Sequence, residues 1–239
     1  MSAARLVGFV LVALASCAEA ATPKPATPMP PAPEKPARAA PTATAPVPDI
    51  PANECDIERR ALKKKQRSLP SSPRCLWLLA HEKDVSFVTQ VNVSSYAEQD
   101  ELPLDVLAKL ENLEQLGLSL GKIPNLDALA KLPKLRELTL TTRLSDLRPV
   151  AELVELERLT LDAQASGELR DVSALARLTH LRRLVLRTRV DLEAVARHAP
   201  RVTSLVAPLA AHPAALARFS ELETLVIGCF DSVAERLGV

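Results

Sequence analysis

From about residue 85 onwards, apolar residues recur in a fixed pattern. In each segment of nine, the first, fourth, seventh and ninth positions are apolar, and the segments begin at residues 110, 132, 153, 178, 199 and 219. The starts are 20 to 25 residues apart, and a weaker copy at Val88, Val91 and Val93 precedes them. Such self-similarity predicts an array of about seven structural repeats over residues 85–230.

Each repeat contains two different periodicities. In "LRELTL" (135–140), Leu138 and Leu140 alternate with Glu137 and Thr139, which predicts a strand with one buried and one exposed face. The preceding "LDALAKLP" (126–133) has the apolar spacing of a helix. One unit is therefore a strand and a short helix. A single unit buries too little apolar surface to offset the entropy of ordering its backbone, so the units must stack.

The length of the period and its LxxLxL core resemble the leucine-rich repeat family. Stretches such as "LSDLRPVAELVELERLTL" (144–161) are most similar to the short-repeat, internalin-like subgroup. The resemblance implies an α/β leucine-rich repeat solenoid with a concave parallel β-sheet and short helices on the convex side.

The chain departs from this family at the end of each strand. The position three residues beyond the last strand leucine normally holds an asparagine, whose hydrogen bonds form a ladder along the turns. Because Ala207 also replaces the last strand leucine of its unit, this unit is expected to be the least regular. The residues that stand at the asparagine position are Gly121, Arg143, Gln164, Arg189, Ala210 and Phe230.

A solenoid exposes an apolar layer at each end, and residues 54–84 and 231–239 are predicted to cap these layers. Cys55 and Cys75 bracket much of the N-terminal cap, and Trp77 can close its first layer. In an oxidising compartment the two cysteines are expected to form a disulfide. The alternative is that they are two small buried apolar side chains.

The N-terminus has the features of an export signal. Arg5 precedes the apolar run Leu6 to Ala15, which is too short to span a bilayer permanently, so residues 1–16 are predicted to be a removable signal peptide. The sequence Leu14-Ala15-Ser16-Cys17 resembles the lipobox of bacterial lipoproteins. This resemblance implies that Cys17 receives a diacylglyceryl group, with fatty chains such as palmitate, and becomes the mature N-terminus. Ordinary secretory cleavage after Ala20 is the alternative.

The lipobox implies a lipid-anchored protein of the bacterial cell envelope. Ala18 stands where an aspartate usually retains lipoproteins in the inner membrane, so the outer membrane is favoured. Residues 17–53 are predicted to be a disordered linker, since 11 of the 36 residues 18–53 are proline. Its extended reach would be roughly 110 Å at about 3.1 Å per residue. A spacer role is favoured over recognition of its PxxP spacings by a partner.

The charge balance limits the classes of partner. Lys plus Arg (30) nearly equals Asp plus Glu (29), so the chain lacks the overall positive field that drives nucleic-acid binding. The segment 59–67 is locally basic and is either a solvated cap helix partnered by Asp56 and Glu58 or a site for anionic headgroups. In the favoured interpretation, the protein contacts the membrane only through its lipid anchor.

No combination of residues predicts catalysis. Ser119 and Lys122 have the SxxK spacing of penicillin-binding enzymes, but Ser119 ends a strand instead of starting a helix. The histidines show no metal-ligand spacing with the cysteines. The sequence therefore predicts a protein that is not an enzyme and that needs no cofactor or metal. The histidines are His81, His180, His198 and His212.

The outward-facing strand positions remain as a candidate site. Arginines concentrate in the middle units, and the outward positions become apolar towards the C-terminus. Arginines beside an apolar strip suit an unidentified protein partner, because they pair with carboxylates while the strip is buried. The alternative is an ordinary solvated sheet face with acids interspersed. The predicted contact residues are Arg136, Arg158, Thr160, Arg183 and Arg187.

Overall fold

The computed structural model describes residues 10–13, 55–95, 104–120, 126–142, 147–162, 169, 171–188, 190–208 and 213–228. Several predicted features lie outside these residues: Cys17, the whole linker 17–53, the C-terminal cap 231–239 and the six positions of the missing asparagine ladder. Within the described part of the chain, no helix is long and apolar enough to cross a membrane.

Parallel strands form one continuous sheet, in the order β1-β9-β8-β7-β6-β5-β4-β3-β2. From β2 to β9, each strand pairs with the next one along the chain, as expected when every unit contributes one strand. The predicted leucine-rich repeat solenoid is therefore confirmed. The strands are β1 (Val10–Ala13), β2 (Ser68–Ser71), β3 (Gln90–Ser95), β4 (Gln115–Leu120), β5 (Glu137–Thr141), β6 (Arg158–Asp162), β7 (Arg183–Leu186), β8 (Ser204–Pro208) and β9 (Thr224–Gly228).

Short helical segments connect the strands. Four are α-helical: α1 (Asp56–Lys63), α2 (Leu78–His81), α3 (Leu104–Leu107) and α4 (Leu192–His198). The others are 3₁₀ segments of three to six residues, which fit the few residues that a unit of this length leaves for its helix. The 3₁₀ turns are Cys75–Trp77, Asp127–Lys131, Arg148–Glu152, Ser173–Arg177 and Pro213–Arg218.

The core is a stack of leucines in register. Leu138, Leu159, Leu184 and Leu205 are neighbours on β5 to β8 and are at most 1% exposed. Each leucine is thus covered by the units on both sides. The unit with Ala207 keeps this arrangement, because Ala207 is fully buried and β8 pairs with both of its neighbours. The smaller side chain does not break the strand.

The polar residues buried at the strand ends lie one position earlier than the family's asparagine. Thr142 and Thr188 stand two residues after the last strand leucine and are 1% and 6% exposed. They continue the inward alternation of Leu140 and Leu186. The backbone N–H of Thr142 donates to the Asp162 carbonyl at 3.0 Å, whereas its buried hydroxyl oxygen has no hydrogen-bond partner.

The N-terminal cap contains a strand that the repeat pattern does not predict. β2 pairs in parallel with β3 and buries Leu69, while Leu62 of α1 covers the apolar layer behind it. Pro70 lies in this terminal strand, where a missing N–H is tolerated. The segment lacks the LxxLxL pattern, which is why the sequence gives no sign of it.

At the opposite end of the sheet, β1 pairs in parallel with β9, with Val10 opposite Thr224 and Ala13 opposite Ile227. β1 belongs to the apolar run of the predicted signal peptide. Cleavage before Cys17 would release this strand and leave β9 as the terminal strand of the sheet.

Candidate protein-binding surface

The predicted contact residues occupy two different parts of the sheet. Arg158, Thr160 and Arg183 lie on the open face of β6 and β7, where polar positions alternate with the buried leucines. Arg136 lies just before β5, at the edge of the sheet where each strand begins. The sequence pattern places all the arginines near one another, but only some of them share the open face.

Acids interleave with the arginines along the strand-start edge. Arg136 forms an ion pair with Glu157 of the next unit, with Nη1 2.9 Å from Oε1. Arg182 stands at the same position two units after Arg136 and pairs with Glu221 at 3.0 Å. These arginines are therefore neutralised within the protein, and such exposed pairs contribute only about 0–1 kcal/mol each.

The open face itself contains an ion pair between adjacent strands. Arg158 lies directly opposite Glu137 in the sheet register, and its Nη2 is 2.9 Å from Oε2 of that residue. The pairing of oppositely charged residues across neighbouring strands is a favourable arrangement. Arg158 therefore carries a positive charge that is already partly compensated.

Arg183 differs from the other arginines of the face. It lies opposite Arg158 on one side and Ser204 on the other, and its side chain is exposed. Among the described residues, Arg183 forms no ion pair. Like charges directly opposite in a sheet repel each other, so an anionic group bound here would relieve the repulsion between Arg158 and Arg183.

Arg187 follows β7 and faces a partly buried carboxylate. Burial raises the pKa of the Asp162 carboxyl above its usual range, and the positive charge of Arg187 opposes this shift. Thr141 lies opposite Asp162 on β5. The far end of the open face thus combines an exposed arginine with a carboxyl whose pKa is raised by burial.

An apolar strip runs beside the arginines. Val185, Val206 and Val226 are neighbours in the sheet register, and each is half-buried on the open face. Thr160 precedes Val185 in the same row. The unpaired arginine and the valine strip are therefore adjacent, which is the combination that protein interfaces favour.

The three histidines that the structure describes do not assemble with one another. His81 is exposed at the end of α2, and His198 lies at the end of α4 on the helical side. The Nδ1 atom of His180 lies 3.0 Å from the Val154 carbonyl oxygen, which gives it a structural contact. Ser119 belongs to β4, as expected, while Lys122 and His212 lie outside the described residues.

In the N-terminal cap, the structure joins Cys55 and Cys75 in a disulfide, with their Cα atoms 5.5 Å apart. Glu58 is buried beside them. The ligand atoms of Cys55, Glu58 and Cys75 lie within 4.8 Å of one another, which makes this the group of described residues that could hold a metal ion. The sequence pattern predicts Glu58 as a solvated partner of the basic segment and gives no indication of this cluster. Its spacing of three residues from Cys55 is the signal that could have indicated it.

Some side chains of the basic segment 59–67 make contacts within the protein, whereas others are exposed to solvent. Lys65 Nζ lies 3.3 Å from an Asp84 carboxylate oxygen and 5.9 Å from the centre of the Phe87 ring. Hydrogen bonds from the Ser86 hydroxyl and backbone N–H, together with Lys65, lower the pKa of Asp84. Lys63 and Lys64 remain exposed, as does Ile57, whose exposed fraction is 64%.

Comparison with known proteins gives structural neighbours only. The sequence matches no protein-family model and no curated protein. An internalin from Listeria monocytogenes is 22% identical, with 67% of this chain and 47% of that chain covered and a TM-score of 0.49. Internalin C2 from the same organism is 21% identical, with 67% and 73% covered and a TM-score of 0.46.

A leucine-rich repeat protein from Leptospira interrogans is 19% identical, with 67% of this chain and 48% of that chain covered and a TM-score of 0.35. The chain thus spans about half the length of the first internalin and of the Leptospira protein. The assignment of the fold rests on the strand order and register described above.

Proposed function

We propose that this protein binds another protein through the open face of its solenoid, with Arg183 at the centre of the contact. The observation that carries the proposal is the pairing of Arg183 with Arg158 in the register. Two arginines in a row, only one of them matched by an acid, favour a carboxylate from outside the chain. The adjacent strip of Val185, Val206 and Val226 supplies apolar area to bury.

In this proposal, Arg158, Thr160 and Arg187 complete the contact around Arg183, whereas Arg136 serves mainly to pair with Glu157. The partner would present an acidic residue flanked by apolar ones. We regard the role as one of binding and not of catalysis.

The protein's location is part of the proposal. We propose that the chain is exported, lipidated at Cys17 and held off the membrane by the proline-rich linker, as the lipobox resemblance suggests. Two or three acyl chains would anchor it firmly, since each buried methylene contributes about 0.8 kcal/mol. Replacing Cys17 by serine should move the protein from the membrane fraction to the soluble fraction. Equal membrane association of both forms would contradict the anchor.

The binding surface is tested by crosslinking in the native cells. Proteins captured by the tagged wild type are compared with those captured by Arg183→Glu and by Arg197→Glu. Arg197 is an exposed arginine on α4, on the helical side, so its variant is the matched control for charge. Loss of a captured protein with Arg183→Glu but not with Arg197→Glu would support the open face. Equal capture by all three would refute it.

A second candidate function rests on the exposed Ile57 in the first turn of α1, together with the exposed Lys63 at the end of this helix and Lys64 just after it. A short helix with an exposed apolar side chain and basic ones fits an anionic surface, and each such charge near it contributes about 1 kcal/mol. The protein would then be a structural spacer that holds cell wall or membrane. Lys63→Glu with Lys64→Glu should abolish salt-sensitive binding to phosphatidylglycerol vesicles or isolated cell wall, while Arg183→Glu should leave it intact.

A further inference from the structure

The N-terminal cap contains three ligand groups at one point. Cys55 precedes the first turn of α1, and Glu58 follows one turn later, so both side chains lie on the same face of the helix. Cys75 begins the 3₁₀ turn that packs against this face. The two sulfur atoms and a Glu58 carboxylate oxygen all lie within 4.8 Å of one another.

Glu58 is the unusual member of this cluster. It is 8% exposed, although it belongs to a helix whose other charged residues face solvent more openly. None of the hydrogen bonds or ion pairs formed among the described residues involves its side-chain carboxylate. Thr142 Oγ1 is the one fully buried side-chain polar atom without a partner among the described residues, so the Glu58 oxygens keep some contact with solvent and are open to an ion that approaches the cap.

We propose that Cys55, Glu58 and Cys75 form a binding site for Zn²⁺ when the disulfide is reduced. Two thiolates and a carboxylate are ligands that zinc takes, and the fourth tetrahedral position would be held by water. Harder cations such as Mg²⁺ and Ca²⁺ prefer sets made of oxygen atoms, so they fit this site poorly. The Glu58 carboxylate forms no ion pair among the described residues, so it is available as a ligand beside the two sulfur atoms.

Reduction of the disulfide converts the cap into its zinc-binding form. A thiol or phosphine reductant gives two electrons to the disulfide, which takes up two protons and becomes two thiols. Zn²⁺ then binds both sulfur atoms as thiolates and displaces the two protons. The cap can therefore be closed by a covalent bond in an oxidising compartment or by the metal in a reducing one.

The disulfide and the bound metal would both hold the same apolar layer of the cap in place. Leu62 of α1 and Leu76 and Leu79 of the following turns are buried in the core that covers the first unit. Joining α1 to the turn at Cys75 holds these leucines together. Zinc should consequently restore part of the stability that reduction removes.

The test uses the full chain with Cys17 and Cys229 replaced by serine, so that the cap provides the only thiols. The reduced protein is titrated with Zn²⁺ in competition with a colorimetric chelator. Binding of one ion is expected, together with a rise in the unfolding temperature. The same protein with its disulfide intact is the internal control and should bind no zinc at this site. Cobalt substitution should give the strong visible bands of a tetrahedral thiolate site.

A variant of Glu58 and a matched control test whether Glu58 is a zinc ligand. Glu58→Gln should weaken zinc binding by at least about tenfold, because even outer-shell partners of metal ligands contribute roughly 10–100-fold to affinity. Asp56→Asn removes the same charge from an exposed position of α1 and should leave the affinity unchanged. The oxidised form of each variant shows whether it still folds.

Zinc binding that is equal in the oxidised and reduced forms would overturn the proposal, as would unchanged affinity in Glu58→Gln. Absence of zinc binding by the reduced, folded protein would overturn it as well. None of these outcomes bears on the open face of the sheet, since the zinc site does not rest on the proposed binding function.

Discussion

His180 makes the same contact in its unit that Asn112 makes three units earlier. His180 Nδ1 lies 3.0 Å from the carbonyl oxygen of Val154. Asn112 Nδ2 donates to the carbonyl oxygen of Ser86 at 2.9 Å. In both cases, the third residue of a nine-residue segment, just before its second leucine, contacts the carbonyl oxygen of the second residue of the preceding unit. Side chains in the turns that precede the strands thus link successive units.

These contacts predict that truncating either side chain to alanine makes the protein measurably less stable. Asn112→Ala and His180→Ala should each lower the free energy of unfolding by about 0.5–1.5 kcal/mol, the net contribution of an ordinary hydrogen bond. Urea denaturation measures the change. Thr179→Ala, next to His180 and also exposed, is the control and should have a smaller effect. Equal losses at Thr179 and His180 would show that the contact contributes nothing specific.

The buried hydroxyl of Thr142 predicts a stabilising substitution. This residue is 1% exposed, and its Oγ1 atom has no hydrogen-bond partner. Valine has nearly the same shape and removes the unpaired polar atom, so Thr142→Val should raise the stability by about 1 kcal/mol or more. Thermal and urea unfolding both measure it. A loss of stability in Thr142→Val would mean that the hydroxyl is satisfied in solution.

Asp162 predicts a particular dependence of stability on pH. Burial raises its folded pKa above the value of 3.8 that applies to an unperturbed aspartate. The folded state therefore holds the proton more tightly than the unfolded state, and the stability that Asp162 contributes falls as the pH rises from 3.8 through the folded pKa.

The corresponding variant is Asp162→Asn, which cannot ionise. The stability of the wild type minus that of Asp162→Asn, measured by urea denaturation, should be constant below pH 3.8 and decrease above it until the folded pKa is passed. Arg187→Met should extend this decrease to higher pH, since Arg187 opposes the shift. A difference that increases with pH would contradict the burial of this carboxyl.

The bond between Cys55 and Cys75 predicts a loss of stability on removal. It closes a loop with a sequence separation of 20 residues. The double variant Cys55→Ser with Cys75→Ser should lose about 3 kcal/mol, mostly because its unfolded chain is less restricted. Reduction of the wild type in the presence of a chelator should give the same stability as the double variant. Unfolding curves that do not change on reduction would show that the cap does not depend on this bond.

The sequence determines the repeat almost by itself. The spacing of Leu138 and Leu140, repeated at every unit, specifies a strand, its buried face and its parallel pairing, because no single unit can bury its leucines alone. Strand β8 stays in the sheet despite Ala207 because the units on both sides enclose it. Strand β2 escaped prediction because it lacks the leucine pattern and is ordered by its contact with β3.

Only the tertiary structure decided how the charges are arranged. The sequence places Arg136, Arg158 and Arg183 at similar points of their units and so predicts a positive cluster. In the structure, neighbouring units bring Glu157 to Arg136 and Glu137 to Arg158, leaving Arg183 as the member of the three without an ion pair among the described residues. Leucine burial depends on a local period that can be read along the chain. Ion pairs and the cluster of Cys55, Glu58 and Cys75 depend on which units and turns become neighbours in space, and on directions of side chains that no local period specifies.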